Sequence, residues 1–84
     1  MFTLVWTAHF IRSAEKFKKR HPDLKTKLAG VLRDLEKDPF QPHLKYHHLG
    51  GKLEGIQAVS ITDKQRISLT IVIAEKDITL LGAA

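Results

Sequence analysis

His43 to Arg66 has the sequence HLKYHHLGGKLEGIQAVSITDKQR, and the pattern of the chain changes across it. Before this segment, apolar residues recur at helical spacing and stop at Pro39, whereas from Ile56 onward they alternate with a period of two. The segment holds three of the five histidines and three of the five glycines. Because small domains place binding and catalytic residues on loops held by rigid elements, we expect the chemistry of this protein here.

The apolar pattern on either side predicts two helices and four strands. The dipeptides His21-Pro22 and Asp38-Pro39 separate and end the helices, because proline suits the first turn of a helix but not its interior. The predicted elements are strand Phe2–Thr7, helices Phe10–Arg20 and Asp23–Lys37, and strands Ile56–Ile61, Ile67–Ala74 and Ile78–Leu81.

Both predicted helices carry an apolar stripe that has to be covered. The stripe residues are Phe10 and Phe17 in the first helix and Leu24, Leu28, Leu32 and Leu35 in the second. The order β-α-α-β-β-β therefore predicts an α+β fold, in which a two-helix hairpin packs on one face of a small, mostly antiparallel sheet. Ile67–Ala74 is apolar on both faces, which predicts a central strand.

Length, charge and cysteine content limit the possible classes. Residues 1–84 suffice for one domain with one modest core. The lack of cysteine excludes disulfides and thiolate metal sites and favours a reducing, cytoplasmic location. No apolar run approaches the ~20 residues of a membrane span, so we expect no membrane partner. A net charge of +5 and a pI near 9.8 favour a polyanionic partner such as nucleic acid or an acidic protein.

Nearly the whole chain, from the first strand through both helices to the strand that Arg66 opens, resembles a known family. After the two helices come Asp38-Pro39-Phe40, His43-Leu44-Lys45 with His48-Leu49, Gly51-Lys52-Leu53-Glu54-Gly55, and Arg66-Ile67 at the opening of a strong strand. In this order, these segments resemble the RelE/ParE superfamily of type II toxin–antitoxin toxins, and within it the RelE/YafQ-like branch. The resemblance implies a small cytosolic toxin neutralised by a cognate antitoxin. RelE-like members cut mRNA in the ribosomal A site, and ParE-like members act on DNA gyrase.

Metal-free cleavage of RNA requires a base for the 2′-OH, a cation for the phosphorane and an acid for the leaving 5′-oxygen. His47 or His48 suits the base or the acid, since imidazole titrates near neutrality. Arg66 suits the phosphorane because guanidinium offers a planar fork of donors. The resemblance independently implies Arg66 as an active-site arginine and places His47 near the loop histidine of YafQ-like members. The candidates for binding RNA phosphates are Lys45, Lys52 and Lys64 in the central segment and Lys18, Lys19 and Arg20 on the first helix.

The end of the chain departs from the family pattern. RelE- and YafQ-like chains continue past the last strand with a glycine, a histidine or basic residue, and a terminal aromatic, whereas here Leu80-Leu81 is followed by Gly82-Ala83-Ala84. We therefore expect reduced ribosome-dependent mRNA cleavage. The alternative is a catalytically inactive or ParE-like relative that binds its antitoxin, or gyrase, without cutting RNA.

Metal and partner expectations follow from the same residues. His43, His47 and His48 carry imidazoles suited to a metal, but no carboxylate or thiol is placed to complete the shell. We expect neither a metal nor a small-molecule cofactor. The expected partners are an acidic antitoxin segment that folds on binding, the ribosome and mRNA.

Overall fold

A computed structural model describes residues 1–84, which form two α-helices and a five-stranded sheet. The strands are β1 (Thr3–Trp6), β2 (His47–His48), β3 (Gln57–Ser60), β4 (Arg66–Val72) and β5 (Asp77–Ala83), and the helices are α1 (Ala8–Arg20) and α2 (Lys25–Lys37). Neither helix has the length or the apolar character needed to span a membrane.

The strands lie in the order β1-β5-β4-β3-β2. β1 runs parallel to β5, and every other neighbouring pair is antiparallel. The predicted α+β fold, with two helices on a mostly antiparallel sheet, is confirmed. β4 occupies the middle of the order, so the apolar stretch from Ile67 is a central strand as predicted. The parallel pairing requires a crossover connection, which the two helices supply.

Local chemistry sets the ends of the helices. The Thr7 hydroxyl caps α1 by accepting a hydrogen bond from the backbone N–H of Phe10 at 3.0 Å. Pro22 begins a 3₁₀ turn, Pro22–Leu24, so α2 starts at Lys25 rather than at the predicted Asp23. At the end of α2, the Asp38 carboxylate accepts a hydrogen bond from the backbone N–H of Phe40 at 2.9 Å. This contact closes a turn that leads the chain away from the helix.

The core lies between the helices and the sheet face that they cover. Of the predicted stripe residues, Phe10, Phe17, Leu28 and Leu35 are buried. Leu24 and Leu32 pack against the edge of the core and are only partly buried, and Val31 lies inside. The sheet contributes Val59, Ile61, Ile67, Leu69, Ile78 and Leu80, all 2% exposed or less.

Two parts of the strand prediction were wrong. His47 and His48, expected in a loop, form β2 against β3, with His47 opposite Ala58 and His48 opposite Gln57. Two residues are too few to produce an alternating pattern, so this pairing depends on the free edge of β3. β5 also continues past the predicted end at Leu81, because Ala83 pairs with Ile67 across a bulge in the β4–β5 ladder.

Candidate active site

The sheet face that the helices leave open carries the candidate residues. Directly opposed residues on neighbouring strands point to the same face, and successive residues alternate. Val59 and Ile67 are opposed and buried in the core. Their neighbours Ser60 and Arg66, which are also opposed, therefore point to the open face. His47 lies opposite Ala58, two residues before Ser60, and points the same way.

A hollow of about 370 Å³ lies on this face, and we call it the His47 hollow. Its lining comprises His47, Ser60, Asp63, Lys64, Arg66 and Ala84. The structure thus brings together three residues that the sequence singled out for RNA chemistry, an imidazole, a guanidinium and an ammonium. They come from β2, from the β3–β4 turn and from the first residue of β4.

Arg66 has a fixed backbone and a free side chain. Its backbone N–H donates to the Ala84 carbonyl at 2.9 Å, and its carbonyl accepts from the Ala84 N–H at 3.0 Å. On the other side it lies opposite Ser60 of β3. The side chain is exposed, and neither of the two ion pairs in the chain involves it. The guanidinium donors are therefore available to an anion from outside the protein.

The geometry of His47 selects one tautomer. Its Nδ1 lies 2.8 Å from the backbone carbonyl oxygen of Lys45. A carbonyl only accepts, so Nδ1 carries the proton in this hydrogen bond, and a neutral ring leaves the Nε2 lone pair free. Lys45 itself adopts the left-handed backbone conformation, with φ of 52° and ψ of 47°. A free Nε2 lone pair is what a general base requires.

A tight turn between β3 and β4 presents Lys64 to the hollow. The Ile61 N–H donates to the Gln65 carbonyl at 2.9 Å. The Thr62 hydroxyl oxygen accepts from the backbone N–H groups of Lys64 and Gln65 at 3.2 and 3.1 Å. Lys45 approaches this turn as well, with its Nζ 3.8 Å from the Asp63 carboxylate. Both partners are exposed, so this ion pair adds little stability, and the Asp63 carboxylate offsets the charge of Lys45 at the rim.

His48 does not line the His47 hollow. It follows His47 in β2 and therefore points to the opposite side of the sheet, opposite Gln57. Its ring packs edge-on against Tyr46, with centroids 5.6 Å apart, and Tyr46 packs edge-on against Phe40 at 4.9 Å. Burial in this cluster raises the pKa of the Tyr46 phenol above its ordinary value.

The remaining cationic candidates lie apart from Arg66. Lys52 is exposed in the 3₁₀ turn Gly51–Leu53 and lines neither the His47 hollow nor the other hollow that contains Arg66. Lys18 and Lys19 line a shallow depression on the outside of the helices. Arg20 lines a smaller hollow, of about 140 Å³, that meets the His47 hollow at Ala84. These three residues extend the positive surface away from the site and do not contribute to its centre.

His9 is a further residue of the open face that the sequence did not indicate. This residue lies in the first turn of α1 and lines another hollow on the open face, about 270 Å³ in volume, which we call the His9 hollow. The His9 and His47 hollows both include Arg66 and Ala84 in their linings, so they adjoin. His9 lies here because two hydrogen bonds hold α1 against β5. The Thr7 hydroxyl donates to the Leu80 carbonyl at 2.8 Å, and the Ala83 N–H donates to the Ser13 hydroxyl at 3.0 Å. No local pattern around His9 indicates that contact.

The chain has no group of three or more histidine, cysteine, aspartate or glutamate side chains arranged to hold a metal ion. His43 instead pairs with Asp34 of α2 at 2.8 Å, on the side of the helices. The imidazoles of His43, His47 and His48 are therefore directed to three different surroundings.

No protein-family model matches the chain, and no curated protein matches it. Solved structures match it over nearly its whole length. YafQ from E. coli strain BL21(DE3) has a TM-score of 0.81 at 16% identity, covering 100% of this chain and 92% of YafQ. A YoeB/ParE toxin from Agrobacterium tumefaciens has a TM-score of 0.76 at 20% identity, covering 98% and 95%. YoeB in the heterotetrameric YoeB–YefM toxin–antitoxin complex from Staphylococcus aureus has a TM-score of 0.71 at 13% identity, covering 98% and 93%.

At these identities the likeness shows the fold. The chain has the fold of the RelE/YoeB-type toxins, as its sequence predicted.

Proposed function

We propose that this chain is the toxin of a type II toxin–antitoxin system and cleaves mRNA on the ribosome, with His47 and Arg66 at the reacting phosphate. The observation that carries the proposal is their common hollow on the open face of the sheet. The fold supports it, since proteins with this fold include YafQ and the YoeB toxins.

In the proposed reaction, His47 Nε2 accepts the proton of a ribose 2′-OH. The 2′-oxygen then attacks the adjacent phosphorus, the bond to the 5′-oxygen breaks, and the products are a 2′,3′-cyclic phosphate and a free 5′-OH. Arg66 donates hydrogen bonds to the phosphorane oxygens, where negative charge increases in the transition state. Lys64 holds the same or a neighbouring phosphate by its charge.

The leaving 5′-oxygen also needs a proton. The lining of the His47 hollow contains no second imidazole, so we assign this proton to water or to a group of the ribosome or mRNA. A positioned general acid typically contributes about 100- to 10,000-fold to a rate. We therefore expect slow cleavage, which agrees with the reduced activity expected from the sequence.

Mutation of Arg66 tests the proposal in a ribosomal assay, in which cut sites on a programmed mRNA are mapped by primer extension. Arg66→Ala should lower kcat about 100- to 1,000-fold, the usual effect of losing one transition-state donor. His47→Ala should lower it by a similar factor. His43→Ala is the matched control, because that histidine pairs with Asp34 away from the site, and it should cut at the rate of the wild type.

The stability of the variants has to be measured alongside. The Arg66 side chain is exposed, so Arg66→Ala should change the free energy of unfolding by no more than about 0.5 kcal/mol. If a folded Arg66→Ala protein cuts as well as the wild type, the role assigned to Arg66 is wrong. If the wild type cuts nothing but binds its antitoxin tightly, the inactive or ParE-like alternative is selected.

We also propose an antitoxin partner whose binding segment is acidic and partly apolar. The last turn of α1 is basic, with Lys18, Lys19 and Arg20 in succession. Trp6, just before α1, and Ile11, in its first turn, are large apolar side chains that remain 50% and 46% exposed. The probe is the short acidic product of a neighbouring open reading frame. Its Kd should rise steeply between low and physiological salt, because exposed charges are screened. A Kd indifferent to salt over that range would show that charge is not the main contribution.

A further inference from the structure

The His9 hollow differs in chemistry from the His47 hollow beside it. Its walls are largely apolar and include Leu49, Leu53, Ile56 and Leu81, with the His9 imidazole and the Ser68 hydroxyl as the polar groups apart from Arg66. Leu53 is 44% exposed although it is a large apolar residue. An apolar hollow with a few polar groups is the usual form of a binding site for a small organic group.

The position of Arg66 restricts what can occupy this hollow. Because Arg66 lines both hollows, a ligand that fills the His9 hollow and also reaches Arg66 has an anionic group next to a compact apolar group. Lys64, which makes no ion pair, adds a second positive charge beyond Arg66, and this suits a chain of phosphates more than a single carboxylate. The volume of about 270 Å³ lies just below the range of whole drug-sized sites, so it suits one ring system.

Gly82 lies in the wall of the His9 hollow, close to His9 and Ser68. A Cβ at Gly82 would lie 3.5 Å from the Ser68 hydroxyl and 3.7 Å from His9 Cδ2. The backbone of Gly82 is not in the left-handed region, so its conformation does not require glycine. Its small size is what keeps this part of the hollow open, and a larger side chain here would project towards the imidazole.

We propose that the His9 hollow binds the nucleobase next to the scissile phosphate of single-stranded RNA, with the base stacked on the His9 imidazole. This inference rests on the proposed function and assigns the substrate subsite of the same face. Histidine is among the side chains on which unpaired RNA bases stack. Arg66 then holds the phosphate attached to the bound nucleoside, and the apolar walls exclude water from the base.

Three variants test the subsite in the ribosomal assay. His9→Ala removes the stacking ring and should raise KM by roughly 5- to 150-fold, the range expected for loss of one base stack. His9→Phe keeps an aromatic face and should retain KM within about threefold of the wild type. Gly82→Leu fills the hollow without removing a polar group and should raise KM as His9→Ala does. His9→Ala and Gly82→Leu should alter base preference only at the position next to the cut. His43→Ala is the control and should keep the KM and the base preference of the wild type.

A binding measurement separates this proposal from the proposed function. The probe is an RNA trinucleotide with a 2′-deoxy sugar at the cut position, which binds but cannot react, and its abasic counterpart. In NMR titrations of the wild type, the deoxy trinucleotide should shift the imidazole carbon resonances of His9, and the abasic one should not. That difference would support the subsite even if no mRNA were cleaved on the ribosome.

Three outcomes would overturn the subsite. The first is mRNA cleavage by His9→Ala with the KM and base preference of the wild type, which would leave the proposed function standing. The second is a loss in His9→Phe as large as in His9→Ala, because that would show proton transfer by the imidazole and not stacking. The third is an equal His9 shift with both trinucleotides, or none with either, because then no base occupies the hollow.

Discussion

Thr7 connects the first helix to the sheet, and its hydroxyl should account for a large part of the stability. The hydroxyl oxygen caps α1 by accepting from the Phe10 N–H at 3.0 Å, and its proton is donated to the Leu80 carbonyl of β5 at 2.8 Å. Loss of a Ser or Thr cap typically costs about 0.5–2 kcal/mol. One further hydrogen bond adds about 0.5–1.5 kcal/mol. Because a single hydroxyl makes both contacts, we expect Thr7→Val to cost about 1–3 kcal/mol in total.

That loss is large for a chain of 84 residues, whose total free energy of unfolding is expected to be about 4–13 kcal/mol. In a domain of this size each kcal/mol shifts Tm by about 4–8 °C, so Thr7→Val should melt roughly 4–24 °C below the wild type. Thr7→Ser is the matched control, because it keeps the hydroxyl and loses only a methyl group. Both are measured by urea and thermal unfolding followed by far-UV circular dichroism. A Thr7→Val protein within about 0.5 kcal/mol of Thr7→Ser would refute this account of how α1 is held.

The remaining predictions concern α2 and the aromatic cluster beside β2. Gly30 lies inside α2, and no atom lies within 4 Å of a Cβ built there. Gly30→Ala should therefore raise the free energy of unfolding by about 0.5–1 kcal/mol; no gain in urea unfolding would contradict open space at this position. Burial raises the pKa of Tyr46, so the folded state holds the phenol proton more tightly than the unfolded state. This contribution to stability is complete below the ordinary tyrosine pKa of about 10 and is lost as the pH rises through the raised pKa. In urea unfolding above pH ~10, the wild type should therefore lose more stability than Tyr46→Phe.

Both hollows of the candidate site depend on strand β5. Arg66 is held by Ala84 at the end of β5, and His9 is held by the attachment of α1 to the same strand. Variants that loosen β5 should therefore impair both hollows together, whereas Arg66→Ala and His9→Ala each impair one function without unfolding the chain. Comparing the two kinds of variant therefore distinguishes the loss of a functional side chain from the loss of the strand that positions it.

Much of the architecture could be predicted from local sequence. The apolar stripes containing Phe10 and Leu35, and the proline breaks after His21 and Asp38, located both helices to within a few residues. The apolar run from Ile67 identified the central strand. These features depend on interactions between residues that are close in the chain, namely helical or strand periodicity and the loss of a backbone donor at proline. His47 and Arg66 were likewise recognisable as candidates because their side chains have the chemistry that RNA cleavage requires.

Which side chains share a surface was decided only by the tertiary structure. His47 and His48 are adjacent in sequence, yet pairing with β3 directs them to opposite faces, and only His47 lines the hollow with Arg66. His9 lies far from Arg66 along the chain but lines the second hollow with it. The parallel pairing of β1 with β5 and the two hydrogen bonds from α1 to β5 bring it there. Strand register and helix placement result from many contacts between residues distant in sequence, and no short segment contains these contacts. Local sequence therefore determines where the helices form and which side chains are chemically suited to a site. Only the folded structure determines which of those side chains lie together.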